Sequence, residues 1–182
     1  MTRLSLMAAD GGTGEGRQLL AQIHDAFGAT PAMFRAVAHS TAALKSMWGS
    51  FGALGAGVIP PRLGEQIAVA VAERNACRYC LAAHTVLGRK AGASADEMAA
   101  AQRGESADPR TAAALRFALR LVEARGQVEA AEVQALRDAG FNDEEIVEIV
   151  AHVALNLFTN YVNLAFDVPL DFPAVALHRQ AG

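Results

Sequence analysis

The sequence predicts an all-α fold, and three observations support this prediction. Hydrophobic residues make up 52% of the chain, and many of them are alanine, which is a strong helix former. Apolar residues recur at helical spacing along most of the sequence, while the alternation of apolar and polar residues that is typical of strands is missing. Glycine, proline and capping residues separate the apolar stretches at intervals that suit helices.

The first third of the chain is divided by glycine and proline. Residues 1–16 include a glycine-rich stretch and are expected to form a flexible lead-in. A short helix is predicted over residues 17–27, and Gly28 ends it. Pro31 suits a first helical position, so the apolar pattern after it predicts one long helix over residues 31–51.

The rest of the chain carries clear helix start and stop signals. Gly92 is followed by Ser94 and Glu97, which suit a C-cap and a capping box, and Gly140 is followed by Asn142 in the same way. The predicted helices cover residues 60–75, 76–90, a short stretch after Ser94, and residues 108–124, 129–138 and 142–166.

Residues 17–182 are expected to form one helical domain, because 182 residues suit a single core of ordinary size. A weak internal echo also occurs, since the segment from Glu65 to His84 aligns without a gap with the segment from Glu144 to Asn163. Either a duplicated helical unit or a chance likeness between two alanine-rich helices would explain it.

Charge and hydropathy exclude several classes of partner. The formal net charge is -3 at pH 7, and no stretch concentrates lysine and arginine as a nucleic-acid surface requires. Residues 1–10 lack the apolar core of a signal peptide, and no run reaches the roughly 20 apolar residues of a membrane span. We therefore expect a cytoplasmic protein that binds neither nucleic acid nor a membrane.

The two cysteines and a nearby histidine form the motif that carries chemistry. Cys77 and Cys80 are the only cysteines, and His84 follows four residues after the second. On a helix these spacings place all three side chains on one face. The start of a helix, together with Arg74 and Arg78, favours the reactive thiolate over the thiol.

This arrangement suits peroxide chemistry. One thiolate attacks the peroxide and becomes a sulfenic acid, which condenses with a second thiol close by. His84 can transfer the protons, and a carboxylate can orient it. Glu65 is the first candidate, because it lies on a mostly apolar helix where partial burial would raise its proton affinity. Glu73 is the second, although we expect it to be solvated.

Two further roles for the cysteine pair stay open. The cysteines could be inert core residues, or they could bind zinc together with His84. A structural zinc site needs four ligands, however, and no second pair of cysteines or histidines is spaced to supply them. No strand leads into a Gly-x-Gly-x-x-Gly turn, so we expect no flavin, haem or nicotinamide cofactor and no metal.

The last predicted helix carries a polar stripe on an otherwise apolar surface. Its members are His152, Asn156, Thr159, Asn160 and Asn163. We expect these side chains to form buried hydrogen bonds with neighbouring helices or another subunit rather than to contact substrate. A helix that is apolar on most sides also indicates a homo-oligomer. The other histidines, His24, His39 and His178, are expected to be structural or exposed.

The motif residues resemble those of a known family. The spacing from Glu65 to Cys77, Cys80 and His84 is similar to that of the AhpD-like alkylhydroperoxidase branch of the carboxymuconolactone decarboxylase family. The stretch over residues 152–163 and the later Asp171-Phe-Pro sequence also resemble the peroxidase-related members, so the resemblance extends over most of the chain from residue 31 onward.

This resemblance implies an all-helical fold that assembles into trimers or hexamers. It implies that Cys80 attacks the hydroperoxide, that Cys77 resolves the product as a disulfide, and that His84 and Glu65 form a proton relay. AhpD itself has a histidine where this chain has Tyr79, so the relay here is expected to be shorter or weaker. A lipoylated protein, a thioredoxin-like protein or a small thiol would serve as the reductant.

We therefore expect a thiol-dependent peroxidase that acts on organic hydroperoxides. Two alternatives stay open. One is an acid-base enzyme like carboxymuconolactone decarboxylase, which does not need the cysteine pair. The other is a non-enzymatic redox or zinc module. A thioredoxin-type oxidoreductase is less favoured, because the βαβ setting of that motif is absent.

Overall fold

The computed structural model describes residues 2–178. Within these residues it contains nine α-helices and no strand, as the sequence predicts. The helices, numbered in chain order, are α1 Gly14–Phe27, α2 Ala32–Val37, α3 Thr41–Gly55, α4 Pro61–Arg74, α5 Arg78–Lys90, α6 Ala95–Gln102, α7 Pro109–Glu123, α8 Ala130–Asp138 and α9 Asp143–Phe166.

Helix α4 lies at the centre and contacts α5, α6, α7 and α9. Its middle is almost wholly buried because small and β-branched residues alternate there and let the neighbouring helices approach closely. The largest fully buried side chains include Leu20, Ile23, Phe34, Leu44, Met47, Ile67, Leu81, Leu115, Leu136 and Ile149. The central position of α4 fixes where α5 and α9, the two helices of the site, can lie.

The helix ends follow the capping signals. Ser94 and Glu97 form the predicted capping box, and so do Asn142 and Glu145 at the start of α9. Gly92 and Gly140 adopt the left-handed backbone, with φ of 91° and 87°.

The long helix predicted over residues 31–51 is wrong, because it is split into α2 and α3. The backbone of Ser40 is extended, and its hydroxyl accepts a hydrogen bond from the Ala43 N–H at 3.2 Å. Ser40 therefore starts a new helix. The prediction fails here because the apolar residues keep helical spacing across the break between α2 and α3.

The first helix begins at Gly14, three residues earlier than predicted. The segment before it makes backbone contacts with the rest of the molecule: the Arg3 N–H donates to Phe166 and the Met7 N–H donates to Arg35. The flexibility of residues 1–16 and the single-domain organisation stay predictions.

The internal echo does not correspond to a structural repeat. The segment from Glu65 to His84 spans two helices and the break between them, whereas the segment from Glu144 to Asn163 lies within the continuous helix α9. The two aligned segments therefore differ in secondary structure.

Helix α9 is also the helix in residues 2–178 that is long and apolar enough, by length and composition, to cross a membrane. It packs against α3, α4, α5 and α7, and it buries a row of polar side chains in that interface. A single helix of this kind is weak evidence for a membrane span, and this one is packed on one side against the rest of the molecule.

Candidate active site

The two cysteines lie at the junction between α4 and α5. Ala76 has a left-handed backbone with φ of 54°, and this turns the chain sharply after α4. Cys77 is the N-cap of α5, and its Sγ accepts a hydrogen bond from the Cys80 N–H at 3.4 Å. Cys77 therefore lies one residue outside the helix that we predicted to include it. Both cysteines are free thiols and almost fully buried, with 1% and 2% exposure.

Glu65 and His84 form the pair that the sequence predicts. Helices α4 and α5 pack side by side, and the Glu65 Oε2 lies 2.7 Å from the His84 Nδ1. With Nδ1 held by the carboxylate, Nε2 is the ring nitrogen that is available for the thiol or for a substrate. His84 is the buried partner and Glu65 the more accessible one.

The polar stripe of α9 brings a further residue to the thiols. The Asn163 Nδ2 donates to the Cys80 Sγ at 3.1 Å, and both residues are buried. Asn160 accepts a hydrogen bond from the Asn75 side chain at 2.9 Å, next to the turn before Cys77. Two members of the stripe, Asn160 and Asn163, therefore bond to neighbouring elements as predicted, whereas the side chains of Asn156 and Thr159 bond to carbonyls of α9 itself. The sequence does not predict the contact with the Cys80 sulfur.

This environment makes Cys80 the more acidic thiol. Burial alone would raise the pKa of Cys80, but a hydrogen bond from Cys77, the positive charge of His84 and the amide of Asn163 outweigh it and lower the pKa to about 7. The pKa of Cys77 moves far upward, because Cys77 donates the hydrogen bond to Cys80 and is itself buried. Of the two thiols, Cys80 is therefore the one whose thiolate is favoured near neutral pH.

The pKa of His84 is raised by the same group of charges. Burial lowers the pKa of His84, but the charge of Glu65, the hydrogen bond to Glu65 and the charge of Cys80 together raise it above its ordinary value. The arrangement favours a thiolate beside an imidazolium, with a carboxylate behind the ring.

The charged neighbours of the motif differ from expectation. The prediction that Glu73 is solvated is wrong: it is 7% exposed, and it accepts hydrogen bonds from the Gln102 Nε2 at 2.7 Å and the His178 N–H at 2.9 Å. Arg74 pairs with Glu123. Glu73 and Arg74 therefore tie α4 to other elements rather than to the thiols.

The other histidines behave as predicted. The His24 ring hydrogen-bonds with the Thr30 hydroxyl, and the His39 ring with the Ser5 carbonyl, both at exposed positions. His178 is exposed, and its backbone N–H donates to Glu73.

Tyr79, which stands between the cysteines, has a structural partner. Its hydroxyl donates to the Asp171 Oδ2 at 2.6 Å, and the same oxygen accepts from the Ala32 N–H at 2.6 Å. The ring meets Phe172 edge to face. Burial and the Asp171 carboxylate raise the pKa of Tyr79, so the phenol stays protonated. Tyr79 thus holds the C-terminal segment against the site and does not serve as a base.

Cys80 and His84 open onto a small apolar cavity, which we call the Cys80 cavity. Its volume is about 40 Å³, enough for a few water molecules. Its lining consists of Phe27, Pro31, Met33, Phe34, Phe51, Tyr79, Cys80, Ala83, His84, Leu87, Thr159 and Phe172. The acidic thiol therefore faces an opening whose walls are mainly aromatic and aliphatic.

Cys77 opens onto a different and larger cavity, which we call the Cys77 cavity. Its volume is about 620 Å³, within the range of small-molecule sites. Its lining consists of Thr2, Arg3, Ala76, Cys77, Arg78, Tyr79, Asn163, Leu164, Asp167, Val168, Pro169, Leu170 and Leu177.

His152 lies apart from the rest of the stripe. It lines a third cavity of about 140 Å³ together with Glu65, His84 and Asn156. Its buried Nε2 has no hydrogen-bond partner in the described part of the chain. Burial lowers the pKa of His152 despite the opposing charges of Glu148 and Glu65, so a neutral ring lies beside the Glu65–His84 pair. Residues 2–178 contain no group of three or more histidine, cysteine or acidic side chains that could hold a metal ion.

The sequence and the fold are similar to those of known proteins. Residues 41–124 match the carboxymuconolactone decarboxylase family. A peroxidase-related protein from Silicibacter sp. TM1040 is 26% identical, with a TM-score of 0.80 over 98% of this chain and 95% of that one. A peroxidase-related protein from Ralstonia eutropha JMP134, solved as an alkylhydroperoxidase AhpD core, is 27% identical, with a TM-score of 0.80 over 93% and 92%.

The debrominase Bmp8 shares the fold, with 20% identity and a TM-score of 0.76 over 93% of this chain and 91% of that one. No curated protein matches the sequence significantly. The nine helices within residues 2–178 define an all-helical protein with the AhpD-like fold of these structures. Residues 41–124 are thus similar to the carboxymuconolactone decarboxylase family, and the fold is similar to those of the two peroxidase-related proteins, as the motif spacing indicates.

Proposed function

We propose that the protein is a thiol-dependent peroxidase that reduces organic hydroperoxides through a disulfide between Cys77 and Cys80. The observation that carries this proposal is the buried Cys80 sulfur, which is hydrogen-bonded by Asn163 and lies beside both a second thiol and the His84–Glu65 pair. Peroxide reduction needs one acidic thiol, one resolving thiol and a proton source, and all three meet here.

In the first step the Cys80 thiolate attacks the terminal oxygen of the hydroperoxide. A sulfur–oxygen bond forms, the oxygen–oxygen bond breaks, and the alcohol leaves as an alkoxide that takes a proton from His84. Glu65 stabilises the imidazolium before this transfer, because its carboxylate holds Nδ1 at 2.7 Å. The products are an alcohol and a sulfenic acid on Cys80.

In the second step Cys77 attacks the Cys80 sulfur. The sulfur–sulfur bond forms, the sulfur–oxygen bond breaks, and the hydroxide that leaves combines with the Cys77 proton to give water. The raised pKa of Cys77 keeps this thiol protonated until the sulfenic acid has formed. His84, neutral after the first step, can carry the proton between them.

The lining of the Cys80 cavity supports a substrate with an apolar body. Its apolar lining and small volume suit the reactive end of a hydroperoxide with an apolar body, rather than a charged substrate. Burial of an apolar body contributes roughly 25 cal/mol for each Å² removed from water, so an alkyl or aryl group should strengthen binding.

The test is hydroperoxide consumption with dithiothreitol as the reductant. We expect kcat/KM for cumene hydroperoxide to exceed that for hydrogen peroxide by about tenfold or more, because only the former has an apolar body. The control is the double variant Cys77→Ser/Cys80→Ser. Equal consumption by the wild type and the double variant would contradict the proposal. Full activity of that variant on carboxymuconolactone would instead support the acid-base alternative.

We also propose that the protein forms a homo-oligomer through α9. Its outer face exposes large apolar side chains that a monomer would leave in water. These are Val147, Val150, Phe158, Tyr161 and Leu164. Successive members lie three or eight residues apart, so all five fall on one face of the helix, which could pack against the same helix of another copy.

A further inference from the structure

The two thiols of the motif face different openings. Cys80 lines the Cys80 cavity but not the Cys77 cavity, and the reverse holds for Cys77. Tyr79 lines both, and its hydrogen bond to Asp171 fixes the side chain that lies between them. A molecule in the Cys77 cavity would therefore approach the disulfide from the side of Cys77.

The Cys77 cavity differs from the Cys80 cavity in charge. It carries two guanidinium groups, on Arg3 and Arg78, and one carboxylate, on Asp167. Arg3 is occupied, because its Nη1 donates to the carbonyls of Leu164 and Ala165 at 3.1 Å. Arg78 is exposed, and its side chain makes no hydrogen bond or ion pair within residues 2–178. Arg78 is thus the charged group that is free to meet a ligand beside Cys77.

Resting on the proposed function, we propose that the Cys77 cavity is the entry site of the reductant, and that Arg78 selects a thiol bearing an anionic group. The reducing thiolate attacks the Cys77 sulfur rather than the Cys80 sulfur. Hydroperoxide and reductant would then use separate openings on the same pair of sulfurs.

The reaction balances with two equivalents of thiol. The first thiolate bonds to the Cys77 sulfur, the bond between Cys77 and Cys80 breaks, and its electron pair leaves on Cys80. A second thiolate attacks the sulfur of the bound reductant and expels Cys77, which takes up a proton. The reductant is oxidised to its disulfide, and both cysteines are reduced.

The acidity of the two thiols supports the same direction of attack. A thiolate leaves faster the lower its pKa, and the pKa of Cys80 is about 7, whereas that of Cys77 is raised. Attack on the Cys77 sulfur expels the Cys80 thiolate, which is the better leaving group, and Asn163 already donates a hydrogen bond to the Cys80 sulfur. Attack on the Cys80 sulfur would instead expel the Cys77 thiolate, which is the poorer leaving group because its pKa is raised.

The first experiment compares two reductants that differ in charge. Diamide first forms the disulfide between Cys77 and Cys80. Its rate of reduction by 2-mercaptoethanesulfonate, and separately by 2-mercaptoethanol, is then measured for the wild type and Arg78→Gln. Arg116→Gln is the control, because Arg116 is an exposed arginine on α7. In Arg78→Gln, the rate with 2-mercaptoethanesulfonate divided by the rate with 2-mercaptoethanol should fall by about threefold or more at low ionic strength. Added salt should reduce this effect. An unchanged ratio would overturn the role of Arg78.

The second experiment identifies the attacked sulfur. Reduction by 2-mercaptoethanesulfonate is quenched part-way with N-ethylmaleimide at mildly acidic pH, and peptides are mapped by mass spectrometry. We expect the mercaptoethanesulfonate adduct on Cys77 and the maleimide on Cys80, and the opposite pattern would overturn the proposal. Because diamide forms the disulfide, a failure of hydroperoxide to form it would contradict the peroxidase proposal alone.

Discussion

Replacing Cys80 with serine is expected to lower hydroperoxide turnover by on the order of 10³-fold or more, the scale seen when a nucleophile is removed. A hydroxyl at this position would stay protonated near neutral pH, so the Asn163 amide and the His84 charge would have no anion to stabilise. Steady-state consumption of cumene hydroperoxide with dithiothreitol measures the effect.

Cys77→Ser is the matched variant for this prediction. It should keep the first step and stop at a sulfenic acid on Cys80, which dimedone labels. We expect one dimedone adduct on Cys80 after one equivalent of hydroperoxide, and none on Cys77 when Cys80 is the residue replaced. Labelling of Cys77 in the Cys80→Ser protein would mean that the order of the two thiols is reversed.

Replacing His84 with glutamine should lower the rate of Cys80 oxidation near neutral pH by roughly 10²- to 10⁴-fold, as expected for the loss of a general acid. The positive charge of His84 favours the Cys80 thiolate, so its removal raises the Cys80 pKa above about 7. The rate should then need a higher pH to reach its plateau. Alkylation of Cys80 against pH in the Cys77→Ser background reports this midpoint directly.

Glu65→Gln and His24→Gln complete this comparison. Glu65→Gln removes the charge that raises the His84 pKa, so less imidazolium is present at neutral pH and the Cys80 midpoint should move upward by a smaller amount. His24 is exposed and bonded to Thr30, so its replacement should leave the midpoint unchanged. An unshifted midpoint in both His84→Gln and Glu65→Gln would show that the relay does not control the thiolate.

Much of the fold could be predicted because the helix ends are encoded locally. Capping boxes and left-handed glycines involve residues three or four positions apart, so the sequence alone located α6 and α9. The break at Ser40 was missed, since the apolar spacing is compatible with one helix and only the cap hydrogen bond reveals two. The N-cap position of Cys77 was missed for a similar reason, because the left-handed Ala76 carries no glycine signal.

In the candidate site, too, the contacts within one short segment could be predicted, and those between distant segments could not. Cys77, Cys80 and His84 belong to one short segment, and their spacing was enough to place them together. The contact between Asn163 and Cys80 joins residues far apart in the chain and depends on how α5 and α9 pack. The burial of Glu73 depends likewise on Gln102 and His178. Periodicity can show that a polar stripe needs partners, but it cannot show which partners they are.

The most direct test of the account is the fate of the two thiols after one equivalent of cumene hydroperoxide. We predict that reduced wild-type protein loses both free thiols, that its intact mass falls by the mass of about two hydrogens, and that peptide mapping shows a bond between Cys77 and Cys80. Unchanged thiols and an unchanged mass under these conditions would contradict the account.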